Sequence, residues 1–282
     1  MKPVPVTLRR ARRSGHDERR HAALRHVAVI LSFLLGGCVR SNFNLATKEE
    51  EYTITSTEKE VELGRKLARH VEQELSVAAD ESLQQKVRSI GERIVAACDR
   101  QEIVYSFAAV EDQEVNAFSL PGGYVYVNDG LIKKTSSDDE LAGVIAHEVA
   151  HIAARHAVKR YESSLGLQLA QLATLAARQG DALRGVGIAL RATQLAYARQ
   201  DELEADRLGV KYMKGAGFNP RAILTFLQKL QELDRKKIHY LPRGIVRPRY
   251  ALTHPYVPDR LRAIKEELFG VADYIDYLNT PN

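Results

Sequence analysis

The interpretation of this chain depends on one short stretch, His147-Glu148-Val149-Ala150-His151. On an α-helix, residues four apart lie one turn apart on the same face, so the imidazoles of His147 and His151 can converge on one metal ion. Glu148, beside the first histidine, can reach a water bound to that ion and accept its proton. The spacing therefore predicts a metal-dependent hydrolytic site on a helix.

The residues next to this stretch distinguish a metal site from a chance occurrence of two histidines on a surface helix. Val144, Ile145 and Ala146 precede it directly, and the residues inside it are also apolar. A surface helix with two incidental histidines would not need such surroundings. The pattern favours a helix that is buried on most sides, where unsatisfied charges would be costly.

A catalytic zinc ion needs a third protein ligand and one position left open for water. The stretch Glu202-Leu203-Glu204-Ala205-Asp206 offers that ligand. Glu202 and Asp206 are four apart and share a helical face, whereas Glu204 faces elsewhere. Glu202 is therefore the candidate ligand, and Asp206 can orient a ligating histidine through its second ring N–H. The competing interpretation is a solvated acidic face.

His156 is the next histidine along the chain. On a continuous helix it is out of register with the two predicted ligands and would point away from them. We therefore interpret His156 as a surface or packing residue rather than as a ligand.

Hydrophobic periodicity predicts an α+β, mostly helical domain. The predicted helices are Thr57–Leu75, Asp80–Ala97, Ser137–Arg160, Asp201–Lys214, Pro220–Arg235 and Pro258–Leu268. Thr57 with Glu60, and Ser137 with Glu140, have the spacing of capping boxes. The Leu- and Ala-rich residues 164–198 are interrupted by charges, so they predict amphipathic helices rather than a membrane hairpin.

Three β-rich runs, Ile103–Phe107, Asn116–Leu120 and Tyr124–Val127, predict a small antiparallel sheet. The last run is a candidate edge strand beside the cleft, onto which an extended peptide would add. It could equally be a covered structural strand. The candidate substrate-binding residues are Asn116, Tyr124, Val125 and Tyr126.

The first 37 residues have the three parts of an export signal. A long basic stretch leads into the apolar run Val27–Leu35, and Gly36-Gly37-Cys38 follows. Leu35-Gly36-Gly37-Cys38 resembles the bacterial lipobox, which predicts cleavage before Cys38 and attachment of lipid to its thiol. An ordinary signal peptide or an N-terminal anchor is the alternative.

The charge does not support nucleic acid binding, and the cysteines do not support thiol chemistry. The formal charge of +5 and the pI of about 9.1 are no argument for nucleic acid binding, because residues 1–37 hold eight Lys or Arg against two acids and the remainder is nearly neutral. With Cys38 lipidated, Cys98 has no partner for an intramolecular disulfide. Its apolar surroundings predict a small buried side chain rather than a nucleophile.

These features divide the 282 residues into four segments. They are a lipoprotein signal peptide at 1–37, a polar tether at 38–56, the domain that carries the predicted metal site at 57–272 and a C-terminal tail at 273–282.

The stretch His147–His151, followed about fifty residues later by Glu202–Gly209, resembles the motifs of the M48 family of zinc metallopeptidases. This family includes the CaaX prenyl, HtpX and mitochondrial Oma proteases. The similarity extends through Asn116–Gly123 and Thr253-His254-Pro255, and covers roughly residues 55–270. It implies a zincin-like domain built around an active-site helix. The implied roles are one zinc ion on His147, His151 and Glu202, with Glu148 as general base and Asp206 behind a ligating histidine.

His254 has two implied roles. It can stabilise the oxyanion of the tetrahedral intermediate, as can a nearby tyrosine or arginine. In some relatives the equivalent histidine instead caps the zinc and keeps the enzyme latent. A loop histidine without function is the remaining interpretation.

The resemblance implies the small bacterial lipoprotein branch of the family. The predicted signal peptide favours this branch, as does the lack of predicted membrane helices or a repeat domain in the rest of the sequence. We expect a metalloendopeptidase that is lipid-anchored, faces the periplasm, sits at the outer membrane and cuts misfolded or misassembled envelope proteins. An assembly factor or chaperone on the same fold, with minor proteolysis, is the alternative. We expect no nucleic acid partner.

Overall fold

A computed structural model of the chain describes residues 40–165, 197–240 and 253–270. The predicted signal peptide 1–37, Cys38 and the tail 273–282 lie outside these residues, as does most of the segment 164–198. The domain is α+β and mostly helical, as predicted.

The helices are α1 Thr57–Glu74, α2 Glu81–Ala96, α3 Asp129–Ile132, α4 Asp138–Ala153, α5 Arg199–Gly215, α6 Ala222–Tyr240 and α7 Val257–Phe269. The strands are β1 Arg40–Asn44, β2 Glu49–Thr53, β3 Ser106–Val110, β4 Ala117–Leu120 and β5 Tyr124–Asn128. Residues 156–165 are also helical.

Helix α4 forms the centre of the fold. Every residue from Glu140 to Ala153 is buried, and α2, α5 and α6 pack around it. Helix α5 approaches α4 closely at Gly209; a Cβ there would be in ordinary contact, 3.4 Å from the backbone nitrogen of His147, and a larger side chain would hold the helices apart. The two predicted ligand-bearing helices are therefore in direct contact.

Serine residues begin two of the helices. The Ser137 hydroxyl accepts from the N–H of Glu140, while Glu140 accepts from the N–H of Ser136, which confirms the predicted start of α4. The predicted cap of α1 is wrong by one residue, because Ser56 rather than Thr57 accepts the N–H of Lys59. Glu60 is not part of that cap, since its carboxylate turns inward to bind arginines.

Helix α4 ends earlier than predicted. It stops at Ala153, not at Arg160, because Arg155 takes a left-handed conformation with φ 57°. Buried contacts compensate for this backbone strain. The Arg155 guanidinium donates to Glu60 at 2.9 Å and to the carbonyl of Thr55 at 2.6 Å.

The main sheet has the order β3-β5-β4 and is mixed rather than wholly antiparallel. Consecutive strands do alternate in direction, but β5 inserts between the other two, so it runs parallel to β3 and antiparallel to β4. Of the two alternatives for Tyr124–Val127, the edge strand is therefore wrong and the structural strand is correct, because β5 is the central strand. Gly122 and Gly123, with φ 77° and 105°, form the tight turn from β4.

The predicted tether at 38–56 is wrong for the residues that the structure describes. Strands β1 and β2 form an antiparallel hairpin that packs on the end of α4. Asn44 donates to the carbonyl of Ala153 at 3.1 Å, and Glu51 pairs with Lys159 at 2.8 Å. Most of the hairpin is exposed, which accounts for its polar composition, and its few inward-facing polar side chains contact the end of α4 and Lys159.

In the ranges 40–165, 197–240 and 253–270, none of the helices combines the length and hydropathy of a membrane span.

Candidate metal centre

Two helices supply the predicted ligands. His147 and His151, one turn apart on α4, bring their Nε2 atoms to 3.0 Å of each other. Glu202 enters from α5, with Oε2 3.5 Å from His147 Nε2 and Oε1 3.4 Å from His151 Nε2. All three side chains are at most 1% exposed. The spacing of each motif thus places its side chains at one buried point.

His254, just before α7, is the fourth member of this group. Its Nδ1 lies 3.1 Å from Glu202 Oε1 and 3.3 Å from His147 Nε2. One ligating atom from each of the four residues lies within 4.8 Å of the others. His254 is therefore part of the site and not a loop histidine.

The donor set fits a divalent metal ion such as zinc. Zinc is commonly held by imidazole nitrogens and a carboxylate oxygen, with one position left open. Glu202 Oε2 is buried and pairs with Arg260, but no contact within the described residues has the geometry of a hydrogen bond to it, so the carboxylate has a lone pair to offer. A cation at this point would satisfy the carboxylate and both imidazoles together.

The protonation of the two imidazoles differs. Burial and Arg260 lower the pKa of His147, but Asp206 and Glu202 outweigh them and raise it to about 9. Burial lowers the pKa of His151 well below its usual value. Because metals bind the neutral imidazole, a metal ion competes with a proton mainly at His147.

Asp206 and Arg260 support the ligands from behind. Asp206 Oδ1 lies 2.8 Å from His147 Nδ1, which leaves Nε2 facing the group. Arg260, on α7, donates to both oxygens of Asp206 at 2.8 Å, and its Nη1 lies 3.0 Å from Glu202 Oε2. Burial raises the pKa of Glu202, but His254 and Arg260 outweigh it and hold that pKa well below 4.5.

Arg260 was not among the site residues predicted from the sequence. A lone arginine on a helix is usually exposed, yet this one is 1% exposed. The available signal was its place one turn before Ile264 on the apolar side of the helix, where a charge needs a buried partner.

Glu148 lies beside the ligands and is fully buried. Its Oε2 accepts a hydrogen bond from Ser119 Oγ at 2.9 Å, and its Oε1 lies 3.3 Å from His254 Nε2. Ser119 belongs to β4, so this strand borders the active-site helix. The carboxylate is thus oriented toward the metal group by a strand residue that the sequence did not identify.

Tyr197, which lies just before α5, covers one side of the group. Its ring stacks on His151 with 3.7 Å between centroids, and the Arg160 guanidinium lies 3.6 Å from the centroid of Tyr197. Burial raises the pKa of Tyr197 to about 12, so its hydroxyl keeps its proton at neutral pH. A tyrosine or an arginine was expected as a possible oxyanion donor, but the sequence did not indicate which residue it would be.

The interpretation of His156 as a residue that points away is wrong. Its Nδ1 lies 2.8 Å from His151 Nδ1, and its Nε2 lies 3.0 Å from Glu204 Oε2. The prediction assumed a continuous helix, whereas the left-handed Arg155 turns His156 back toward the site.

The predicted substrate-binding residues do not gather at the metal group. Tyr124, Val125 and Tyr126 lie on the central strand, and the Tyr126 hydroxyl donates to Glu72 at 3.1 Å on the far side. Asn116 is buried at the start of β4, where its carbonyl accepts from the N–H of Asn128. Among β4 residues it is Ser119 that reaches Glu148.

Comparison with known proteins identifies relatives of this arrangement. The model of peptidase family M48 matches residues 81–268. The beta-barrel assembly-enhancing protease of Escherichia coli (strain K12) is 30% identical over 213 residues, which cover 72% of this chain and 42% of that protein. The mitochondrial metalloendopeptidase OMA1 of Schizosaccharomyces pombe is 30% identical over 187 residues, covering 64% of this chain and 52% of the relative. The chain spans about half the length, or less, of these relatives.

Proposed function

Because the chain belongs to peptidase family M48, we propose that it is a zinc-dependent metalloendopeptidase of the bacterial cell envelope. The observation that carries this proposal is the convergence of His147, His151 and Glu202 within reach of the Glu148 carboxylate. Two relatives are named as a protease and a metalloendopeptidase. The bacterial one is named for β-barrel assembly, which supports misfolded or misassembled envelope proteins as substrates.

In the proposed reaction, a zinc ion held by His147, His151 and Glu202 would supply a Lewis acid for the scissile carbonyl and would acidify the attacking water. Glu148 accepts the proton of that water and delivers it to the leaving amine. Ser119 holds Oε2 of Glu148, so Oε1 is the oxygen that faces the reacting groups. Tyr197, which keeps its proton, is the candidate donor to the oxyanion.

The site is closed in the described conformation, which supports a latent resting state. The three ligands and Glu148 are at most 1% exposed, and His254 and Tyr197 cover them. The N–H of Tyr197 donates to the carbonyl of Thr253 at 3.2 Å, which links the two covering segments. A polypeptide substrate requires both covering side chains to move.

We assign the substrate-binding edge to β4. In the described part of the chain, β4 pairs with a strand on one side only, and its Ser119 touches the general base. An extended peptide added along β4 would pass beside the metal group and be recognised through its backbone. Such recognition favours unfolded segments over folded proteins.

The proposed location follows from the leader. The apolar run and the Gly36-Gly37-Cys38 sequence support export and a lipid anchor that faces the periplasm, with Val39 favouring the outer membrane. The hairpin β1–β2 begins two residues after Cys38, so the domain would lie close to the membrane surface.

A second candidate is an assembly factor that binds envelope proteins and rarely cuts them. The complete burial of the metal group favours it, because a closed site does not turn over substrate. A Glu148→Gln variant that still rescues a deletion phenotype would support this candidate over the peptidase.

Zinc content and casein cleavage of the purified protein, wild type beside Glu148→Gln, test the proposal. We expect about one zinc per chain in both proteins and cleavage by the wild type alone. Zinc in both without cleavage in either would support the assembly factor or a latent enzyme. Absence of zinc from both would show that the proposed metal site is wrong.

A further inference from the structure

His156 is fully enclosed and has a polar partner at each ring nitrogen. Its side chain is 0% exposed, with Nδ1 2.8 Å from His151 Nδ1 and Nε2 3.0 Å from Glu204 Oε2. Both distances are those of good hydrogen bonds. The three residues form a chain that runs from the metal group to the partly exposed Glu204.

Only one placement of protons allows both of these hydrogen bonds to form while His151 binds a metal ion. His151 presents Nε2 to the group, 3.4 Å from Glu202 Oε1. A ligating nitrogen carries no proton, so a neutral His151 has its proton on Nδ1. His156 Nδ1 must then accept that proton's hydrogen bond. Its own proton lies on Nε2 and is donated to Glu204, which as a carboxylate only accepts.

The other ligating histidine is held in a comparable way. His147 Nδ1 lies 2.8 Å from Asp206, so a carboxylate of α5 contacts this ring directly. Glu204, on the same helix, contacts the second ligand through the interposed ring of His156. Both imidazole ligands are therefore oriented by carboxylates from α5, although only one contact is direct.

We propose that His156 and Glu204 are positioning residues that hold His151 in the tautomer that binds the metal ion. The inference rests on the proposed function for the presence of zinc. Packing alone does not explain the arrangement, since an apolar ring would fill the same space beside Tyr197 without needing a carboxylate. Neither residue touches the reacting groups.

Zinc affinity of the purified protein, measured by competition with a chelating dye, tests the proposal. His156→Phe keeps roughly the volume of the ring but removes the nitrogen that accepts from His151. Glu204→Leu removes the carboxylate that accepts from His156. We expect each variant to bind zinc roughly 10- to 100-fold more weakly, the usual effect of losing such a partner. Glu92→Leu, an exposed acid on α2, is the control and should bind as wild type does.

Two further variants separate positioning from packing. His156→Gln carries one acceptor and one donor, and we expect it to recover most of the affinity that His156→Phe loses. The double variant His156→Phe/Glu204→Leu should bind no more weakly than His156→Phe alone, because both changes break one chain. Equal affinity of wild type and His156→Phe, or fully additive losses, would overturn the inference.

Nitrogen-15 spectra of the histidine side chains provide a readout that does not require activity or zinc. We expect a proton on Nδ1 of His151 and on Nε2 of His156. The reverse pattern would overturn the inference even if zinc binds. Failure of the wild type to bind zinc would instead contradict the proposed function, and the spectra would still decide the tautomers.

Discussion

His254 holds its Nε2 atom 3.3 Å from Oε1 of Glu148, while the Nδ1 atom of the same ring lies 3.1 Å from Glu202. One imidazole thus extends from the proposed general base to the proposed ligand carboxylate. It fills the space between them that a water and a scissile carbonyl would need. In this conformation the ring competes with substrate.

We expect His254→Ala to raise the basal rate of casein cleavage. If the open state of the wild type is populated at about 10%, removing the competing ring raises the rate roughly tenfold. The measurement is kcat/KM for casein at equal zinc occupancy. His70→Ala, at a half-exposed histidine on α1 that pairs with Glu74, is the control and should leave the rate unchanged. A fall in rate would assign His254 to catalysis, and an unchanged rate would contradict both roles.

Arg260→Leu should destabilise the metal-free protein more than the zinc-bound protein. The substitution leaves Asp206 and Glu202 buried without their guanidinium partner, which costs about 3–5 kcal/mol of unfolding free energy. Bound zinc compensates Glu202, so the loss should be smaller with zinc than with chelator. Urea unfolding under both conditions measures it.

Arg88→Leu is the matched control for that experiment. Arg88 is half-exposed and lies 3.9 Å from Glu81, a surface pair worth about 0–1 kcal/mol. An equal loss of stability from Arg260→Leu with and without zinc would show that Arg260 does not balance the charge of the metal group.

Stability at acid pH should depend on Glu60. Burial alone would raise the pKa of this carboxyl, but Arg100 and Arg155 outweigh burial and lower it below 4.5. A depressed carboxyl stabilises the fold above its unfolded pKa, and this contribution is lost as pH falls through the folded value. We therefore expect the melting temperature to fall as the pH drops below about 4.5.

Glu60→Gln isolates this contribution. The variant should be less stable than wild type at pH 7, and the difference should shrink as the pH falls toward 3. Glu92→Gln should follow the wild-type curve at every pH, because its side chain is exposed. Parallel curves for wild type and Glu60→Gln would contradict the assignment.

Gly209 should tolerate one added methyl group but no more. A Cβ at this position would lie 3.4 Å from His147 N, an ordinary contact, so Gly209→Ala should leave zinc affinity and stability close to those of wild type. Gly209→Leu should separate α5 from α4 and lower stability by about 1–3 kcal/mol. Because the two helices carry different ligands, its zinc affinity should fall as well. Full zinc affinity in the Leu variant would show that the helix spacing does not set the site.

The features that were predictable from the sequence are those that depend on local periodicity. Helix α2, Glu81–Ala96, lies within one residue of the predicted Asp80–Ala97 at each end, and the four-residue spacing correctly places His147 over His151. These relationships hold within one helix, and their apolar faces repeat every 3.6 residues. The ligand set therefore emerged from spacing together with the family resemblance.

The remaining features depend on contacts between distant segments. His156 reaches the site only because Arg155 leaves the helical conformation, and that conformation is stabilised by Glu60, almost a hundred residues earlier. Arg260 and Tyr197 become part of the site through tertiary packing, which leaves no period in the sequence. The order of the sheet is likewise a matter of which strand inserts between the others.

Three alternate residues of α5 serve three different imidazoles. Glu202 faces the metal group, Glu204 receives His156, and Asp206 receives His147. Each residue of a helix is rotated by about 100° from the one before it, so after a single deletion or insertion between them the three contacts could no longer form together. This segment can therefore diverge between homologues by substitution but not in length. Its length is a stricter mark of this kind of site than the identity of any residue between the carboxylates.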